Sequence, residues 1–195
     1  MGRLITAALL LTAFASPALA AGDPFGTWAT EDGRARVRME RCGATGDRLC
    51  GYVVWLKEPK YDDGGAKVDK YNPDPLLRSR LALGHQLLKG LPLNEDGRYA
   101  GKIYNADNGK SYDVTIWSEA PGELSLRGCL IAMLCKTQTW ARTNDVIQGQ
   151  LAGATGTTGG PRPDADTVRP VQTAKQAPPK ARTKAPAGEP AAPAE

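Results

Sequence analysis

Two close pairs of cysteines constrain this chain more than any other feature. Cys42 and Cys50 flank the turn-rich stretch Gly43-Ala44-Thr45-Gly46-Asp47, and Cys129 and Cys135 flank a short connector. Three disulfide pairings are open, and the spacing favours the two local ones, each of which would staple a hairpin. Zinc is the rival use of such residues. Neither pair has the CxxC spacing, however, and His85 is the only histidine, so two disulfides and no metal are expected. Stable disulfides in turn require an oxidising compartment.

The sequence around the cysteines alternates as half-buried strands do. Arg34-Ala35-Arg36-Val37-Arg38-Met39 places arginines on one face and apolar residues on the other. Taking Cys42 directly opposite Cys50 sets Met39 against Val53 and Val37 against Trp55 on an inner face. Arg38 then meets Val54, and Arg36 meets Leu56, on the outer face. A second hairpin centres on Asn108-Gly109, since both residues accept positive φ. It sets Ile103 opposite Val114. A third joins residues 123–126 to 136–140, with Leu124 opposite Trp140. With an opening strand at residues 26–30, about eight short strands follow one another. The fold class expected is all-β: a small antiparallel up-and-down barrel, closed so that no sheet edge is left exposed.

The ends of the chain read differently. Arg3, an apolar run over residues 4–15 and Ala18-Leu19-Ala20 form a signal peptide, predicted to be cleaved after Ala20. The run is too short to span a bilayer, which needs roughly 20 apolar residues, so no transmembrane segment is expected. The protein should therefore be periplasmic or secreted. All six tyrosines, all four tryptophans and all four cysteines fall in the domain assigned to residues 21–148. Residues 149–195 are rich in Pro, Ala and Gly, and they read as a disordered tail that buries too little apolar surface to repay its ordering. Its charges are six basic (Arg162, Arg169, Lys175, Lys180, Arg182, Lys184) against four acidic (Asp164, Asp166, Glu189, Glu195). This fits a spacer better than a tether to an envelope partner. The net charge of +4 is too small to point to nucleic acid.

Gly26-Thr27-Trp28 opens the first strand and Trp140-Ala141-Arg142 closes the last. Together they resemble the lipocalin arrangement, in which an arginine from the final strand covers a Gly-x-Trp tryptophan and seals one barrel end. Gly26, Trp28, Trp140 and Arg142 are the barrel-closing residues this implies. The stretches 49–56, 72–80, 101–104, 109–112 and 126–129, taken with both Trp motifs, are similar to the bacterial family called domain of unknown function 2147. That resemblance covers residues 25–143. It implies an exported lipocalin-like barrel and brings no assigned activity.

Residues 58–97 interrupt the strand pattern. A stretch this long is usually functional or disordered, and its leucines argue for packing. Asp74 reads as an N-cap with Pro75 at the first helical position, starting a short helix over one barrel mouth. Such a helix would present Arg78 or Arg80 to a carboxylate or phosphate. Asp62, Asp63, Asp69, Asn72 and Asp74 have calcium-ligand chemistry without EF-hand spacing. For catalysis, His85 lacks nucleophile-elbow glycines around Ser79 or Ser111, and no carboxylate pair stands out. No enzyme, catalytic residue or cofactor is expected. The reading is a barrel binding a small hydrophobic or anionic-headed molecule, lined by Val37, Met39, Val53, Trp55, Val114 and Ile116, with Arg78 or Arg80 at the mouth. An eight-stranded barrel can instead be filled by its own side chains. The alternative is then a solid module that holds envelope partners, and a third reading is an envelope hydrolase.

Overall fold

A computed structural model describes residues 22–131 and 134–165. Eight antiparallel strands close on themselves in sequence order. They are β1 (Gly26–Ala29), β2 (Ala35–Cys42), β3 (Arg48–Leu56), β4 (Gln86–Leu91), β5 (Tyr99–Asn105), β6 (Lys110–Trp117), β7 (Glu123–Ile131) and β8 (Leu134–Thr143). The barrel closes where Trp28 of β1 lies opposite Arg142 of β8. The expected up-and-down architecture is the one observed.

Both local disulfides form, Cys42–Cys50 and Cys129–Cys135. The second joins directly opposed residues, and Leu124 faces Trp140 as expected. The first does not. Cys42 lies opposite Arg48 while Cys50 lies opposite Glu40, so this bridge runs diagonally across the ladder. The tight turn at residues 43–47, with Gly43 and Gly46 at positive φ, closes the hairpin two residues earlier than a direct Cys–Cys pair would. Met39 therefore meets Gly51 and Val37 meets Val53.

A bulge beside Val37 and Val53 adds a second correction. It places Trp55 opposite Arg36, on the outer face, where its indole donates to the Gln148 carbonyl at 3.1 Å. The extra residue reverses the alternation, so Leu56 turns inward to pack against the core. In the β5–β6 hairpin the loop spans residues 106–109. Ile103 meets Tyr112 and Gly101 meets Val114. Only Gly109 takes positive φ there, at +69°, where Asn108 was also expected to.

The segment between β3 and β4 makes a single 3-10 turn, Pro75–Leu77, rather than a lid helix. Asp74 caps it as predicted, accepting from the Leu76 amide at 2.9 Å. Residues 149–165, expected to begin a disordered tail, instead form a strap along the outside of β2, β3 and β4. The Leu151 amide donates to the Val54 carbonyl and the Arg162 amide to the Gly84 carbonyl, both at 2.8 Å. Arg38 donates to the Gly153 carbonyl and Thr155, and Thr155 donates to Glu40. Under the strap, Tyr52 is buried on the outer face. Desolvation, with the Glu40 and Asp164 carboxylates, pushes its phenol up to about 12. The signal-peptide assignment and residues 166–195 of the expected tail lie outside the described residues.

Candidate functional site

The two ends of the barrel are built from different side chains. At one end Trp28 is fully buried and the Arg142 guanidinium lies 4.2 Å over its ring. Arg142 also donates to the Phe25 carbonyl at 2.8 Å and to the Asp23 carbonyl. Gly26 makes this possible: at φ +125° it has no Cβ to meet Arg142 Nη1, which would sit only 2.5 Å away. Phe25 then plugs the end, edge-on to Tyr99 at 5.8 Å and beneath Arg41 at 4.1 Å. Above this plug Met39, Leu49, Leu88, Ile116 and Leu124 fill the section with almost no exposure.

The other half is hollow. A cavity of about 740 Å³ opens between the loops at the opposite end, within the size range of small-molecule sites, ~300–1,000 Å³. Its deep wall is Val37, Val53, Leu87, Val114, Leu126 and Trp140. Gly128 continues the inward row of Leu124 and Leu126 on β7. A Cβ there would meet nothing closer than the Asp113 carbonyl at 3.9 Å, so this position leaves open space in the wall. Ile103 and the aromatic rings of Tyr61, Tyr71, Tyr104 and Tyr112 extend the lining toward the rim.

Charge is confined to the rim, where Arg34, Lys57, Lys67, Lys70 and Lys136 outnumber Asp32, Glu58 and Asp107. Lys67 pairs with Glu58 at 3.4 Å. The Lys70 ammonium lies over the rings of Tyr61 and Tyr71 at 5.2 and 5.0 Å. These contacts hold a cation at the mouth on aromatic faces.

One polar group lies deeper. His85 is 6% exposed, with Nδ1 2.6 Å from the Ala82 carbonyl and a buried Nε2 that has no hydrogen-bond partner among the described residues. The short contact to a carbonyl assigns the proton to Nδ1. Burial pushes the imidazole below its usual range, against the opposing effect of the Ala82 hydrogen bond. Tyr104 stands edge-on to it, 6.2 Å between centroids. The Tyr104 phenol is raised above its ordinary range, first by burial and then by its 2.5 Å hydrogen bond to the fully buried Asp69 carboxylate.

The residues expected to line a ligand site divide into three groups. Val37, Val53 and Val114 border the cavity. Met39 and Ile116 lie one layer lower, in the filled section. Trp55 is outside the barrel, turned there by the bulge. Neither arginine stands free at the mouth. Arg78 donates to the Asn72 carbonyl at 2.8 Å, and Arg80 is paired with Asp69 and Asp164, both at 2.8 Å. Asp69 and Asn72 are thus spent on hydrogen bonds within the insertion and to Tyr104 of β5, and no group of three or more metal-ligating side chains occurs among the described residues.

Sequence reasoning missed Leu87, Leu126, Gly128, Tyr104 and the rim lysines. A partial signal existed: Val37, Val53, Val114 and Gly128 are small for inward positions, although Leu87, Leu126 and Trp140 share the same wall.

A closed eight-stranded barrel with one sealed end and an apolar cavity at the other is a lipocalin-like calyx. The chain belongs to the family described as uncharacterised proteins conserved in bacteria, DUF2147, whose model matches residues 26–142. It is similar to a solved structure, protein HP1028 of Helicobacter pylori, described as belonging to the lipocalin family. The likeness is 26% identity and a TM-score of 0.54 over 64% of this chain and 85% of that one. No curated protein matches the chain.

Proposed function

We propose that the protein is an exported carrier that holds a small, partly apolar molecule with an anionic head. The apolar part lies against Val37, Val53, Val114, Leu126 and Trp140, and the head meets the basic rim around Lys70. The observation that carries this reading is the hollow upper half above a filled floor. A barrel that merely filled itself would not leave about 740 Å³ between its apolar walls. The lipocalin-like fold and the family suggest a binding protein rather than an enzyme. Export is supported by the two disulfides, and no described helix is long and apolar enough to cross a membrane.

The test is native mass spectrometry of protein purified gently from the periplasm. A reproducible extra mass that disappears on denaturation is expected. A bare polypeptide mass, unchanged after incubation with long-chain carboxylates, would overturn the reading.

A further inference from the structure

The wall of the cavity is thinnest between β4 and β5. Their ladder holds one residue pair, Leu88 opposite Ile103, and is resumed only toward the sealed end, by the Leu93–Tyr99 bridge and the bond from the Ala100 amide to the Pro92 carbonyl, whereas β5–β6 holds seven pairs and β7–β8 eight. The neighbouring β3–β4 seam is irregular too, but it is extended by bonds between Val53 and the backbone of Gly84 and His85. On the outside of the β4–β5 seam lies a groove of about 760 Å³ bordered by Lys89, Gly90, Leu91, Gly101 and Lys102. Leu87 and Tyr104 line this groove and the inner cavity alike. Two side chains therefore separate the ligand space from the exterior at this point.

On the cavity side of the Leu88–Ile103 pair, beside Leu87 and Tyr104, side chains take the place of ladder bonds. Lys89 of β4 pairs with Asp164 of the strap at 2.7 Å, and Asp164 pairs with Arg80 at 2.8 Å. Arg80 pairs with Asp69 at 2.8 Å, and Asp69 accepts from the Tyr104 hydroxyl of β5 at 2.5 Å. The chain Lys89–Asp164–Arg80–Asp69–Tyr104 thus spans the seam from strand to strand. The stretch beside Leu87 and Tyr104 can open by breaking one or two polar contacts, where a backbone ladder would require many to break together.

We infer that the β4–β5 seam is a latched side port through which ligand enters and leaves the cavity. Tyr104 acts as its inner door and the strap residue Asp164 as its outer clip. This rests on the ligand-binding reading above and adds a route that does not use the open mouth.

The probe for the test is cis-parinaric acid, a fluorescent long-chain carboxylate, followed by stopped-flow binding and displacement. Lys89 and Lys102 stand one step along from the Leu88–Ile103 pair, so K89C/K102C joined by a short bifunctional thiol reagent staples the seam. Both native disulfides remain oxidised. The staple is expected to slow association and dissociation together by at least about tenfold, with Kd unchanged, relative to the uncrosslinked double variant. Tyr104→Phe is expected to speed both by at least about tenfold, the effect of losing one hydrogen bond to a carboxylate.

Exchange rates that ignore the staple would overturn the port while leaving ligand binding intact. Failure of the wild-type protein to bind the probe would remove the binding reading and the port with it. A further check needs no ligand: amide hydrogen exchange along β4 and β5 should be faster than along β6 and β7. Equal protection would also contradict the port.

Discussion

Leu124 and Leu126 are neighbours on the same face of β7, yet they belong to two different kinds of protein interior. Leu124 is fully buried in the floor with Trp28, Met39, Leu49 and Ile116, whereas Leu126 borders the cavity. Large inward residues packed under an arginine-capped tryptophan make the floor a solid hydrophobic core. Higher in the barrel, valines and Gly128 stand among Leu87, Leu126 and Trp140, and the wall there is left without a filling. The barrel is stabilised by one half, and the other encloses the cavity proposed to hold a ligand.

This contrast makes the two leucines the sharpest place to break it. Leu124→Ala should destabilise the fold by about 2–5 kcal/mol, because a void opens among atoms that cannot collapse. Leu126→Ala should cost less, about 2 kcal/mol, because it loses the burial of its removed carbons but only enlarges a space that already exists. Denaturant titration of both variants measures the difference, and equal losses would mean the upper half is as densely packed as the lower. At the sealed end, Arg142→Leu removes the cover over Trp28 and two bonds to carbonyls, for an expected loss of about 2 kcal/mol.

His85 distinguishes the halves by pH, because it is the only histidine of the chain and it lies in the upper half. Its folded-state pKa is depressed, so below about pH 6.5 the unfolded chain binds a proton that the folded barrel resists. Stability should be full above that pH and fall as pH drops, by at most ~1.4 kcal/mol per unit. His85→Gln should remove this part of the slope in urea titrations run between pH 7 and 5. A slope unchanged by the substitution would show that the imidazole carries no penalty. The smallest effect belongs to the rim: Lys70→Ala should leave stability within about 0.5 kcal/mol. It should also weaken binding of a long-chain carboxylate by a few-fold while sparing the matching alcohol, measured by fluorescence titration.

Local signals make much of the floor legible in the amino-acid sequence. Gly26, Trp28 and Arg142 form a motif, the cysteine pairs mark hairpins, and the register of the third hairpin follows from Cys129 and Cys135. Features set by irregular or distant contacts are not readable in that way. The bulge that ejects Trp55 falls in Val53-Val54-Trp55-Leu56, where every residue is apolar and parity leaves no trace. Arg80 reads as a free cation because its partners, Asp69 and Asp164, lie far away along the chain. The strap has the composition of a linker. Backbone bonds and pairs with Arg36, Arg38, Glu40 and Arg80 order it, and no apolar periodicity does. Hollow and filled barrels share one alternation, so only the sizes of the inward residues separate them.

The central claim is that the upper half is an empty ligand space, and Gly128 tests it most directly. A phenylalanine there would project into the cavity from a position whose added Cβ meets only the Asp113 carbonyl, at an unstrained 3.9 Å. Titration of cis-parinaric acid into wild-type and Gly128→Phe protein, alongside their unfolding curves, is the measurement. The account predicts that the variant folds with equal or greater stability and loses probe binding. A variant that unfolds readily, or one that binds the probe as wild type does, would contradict it.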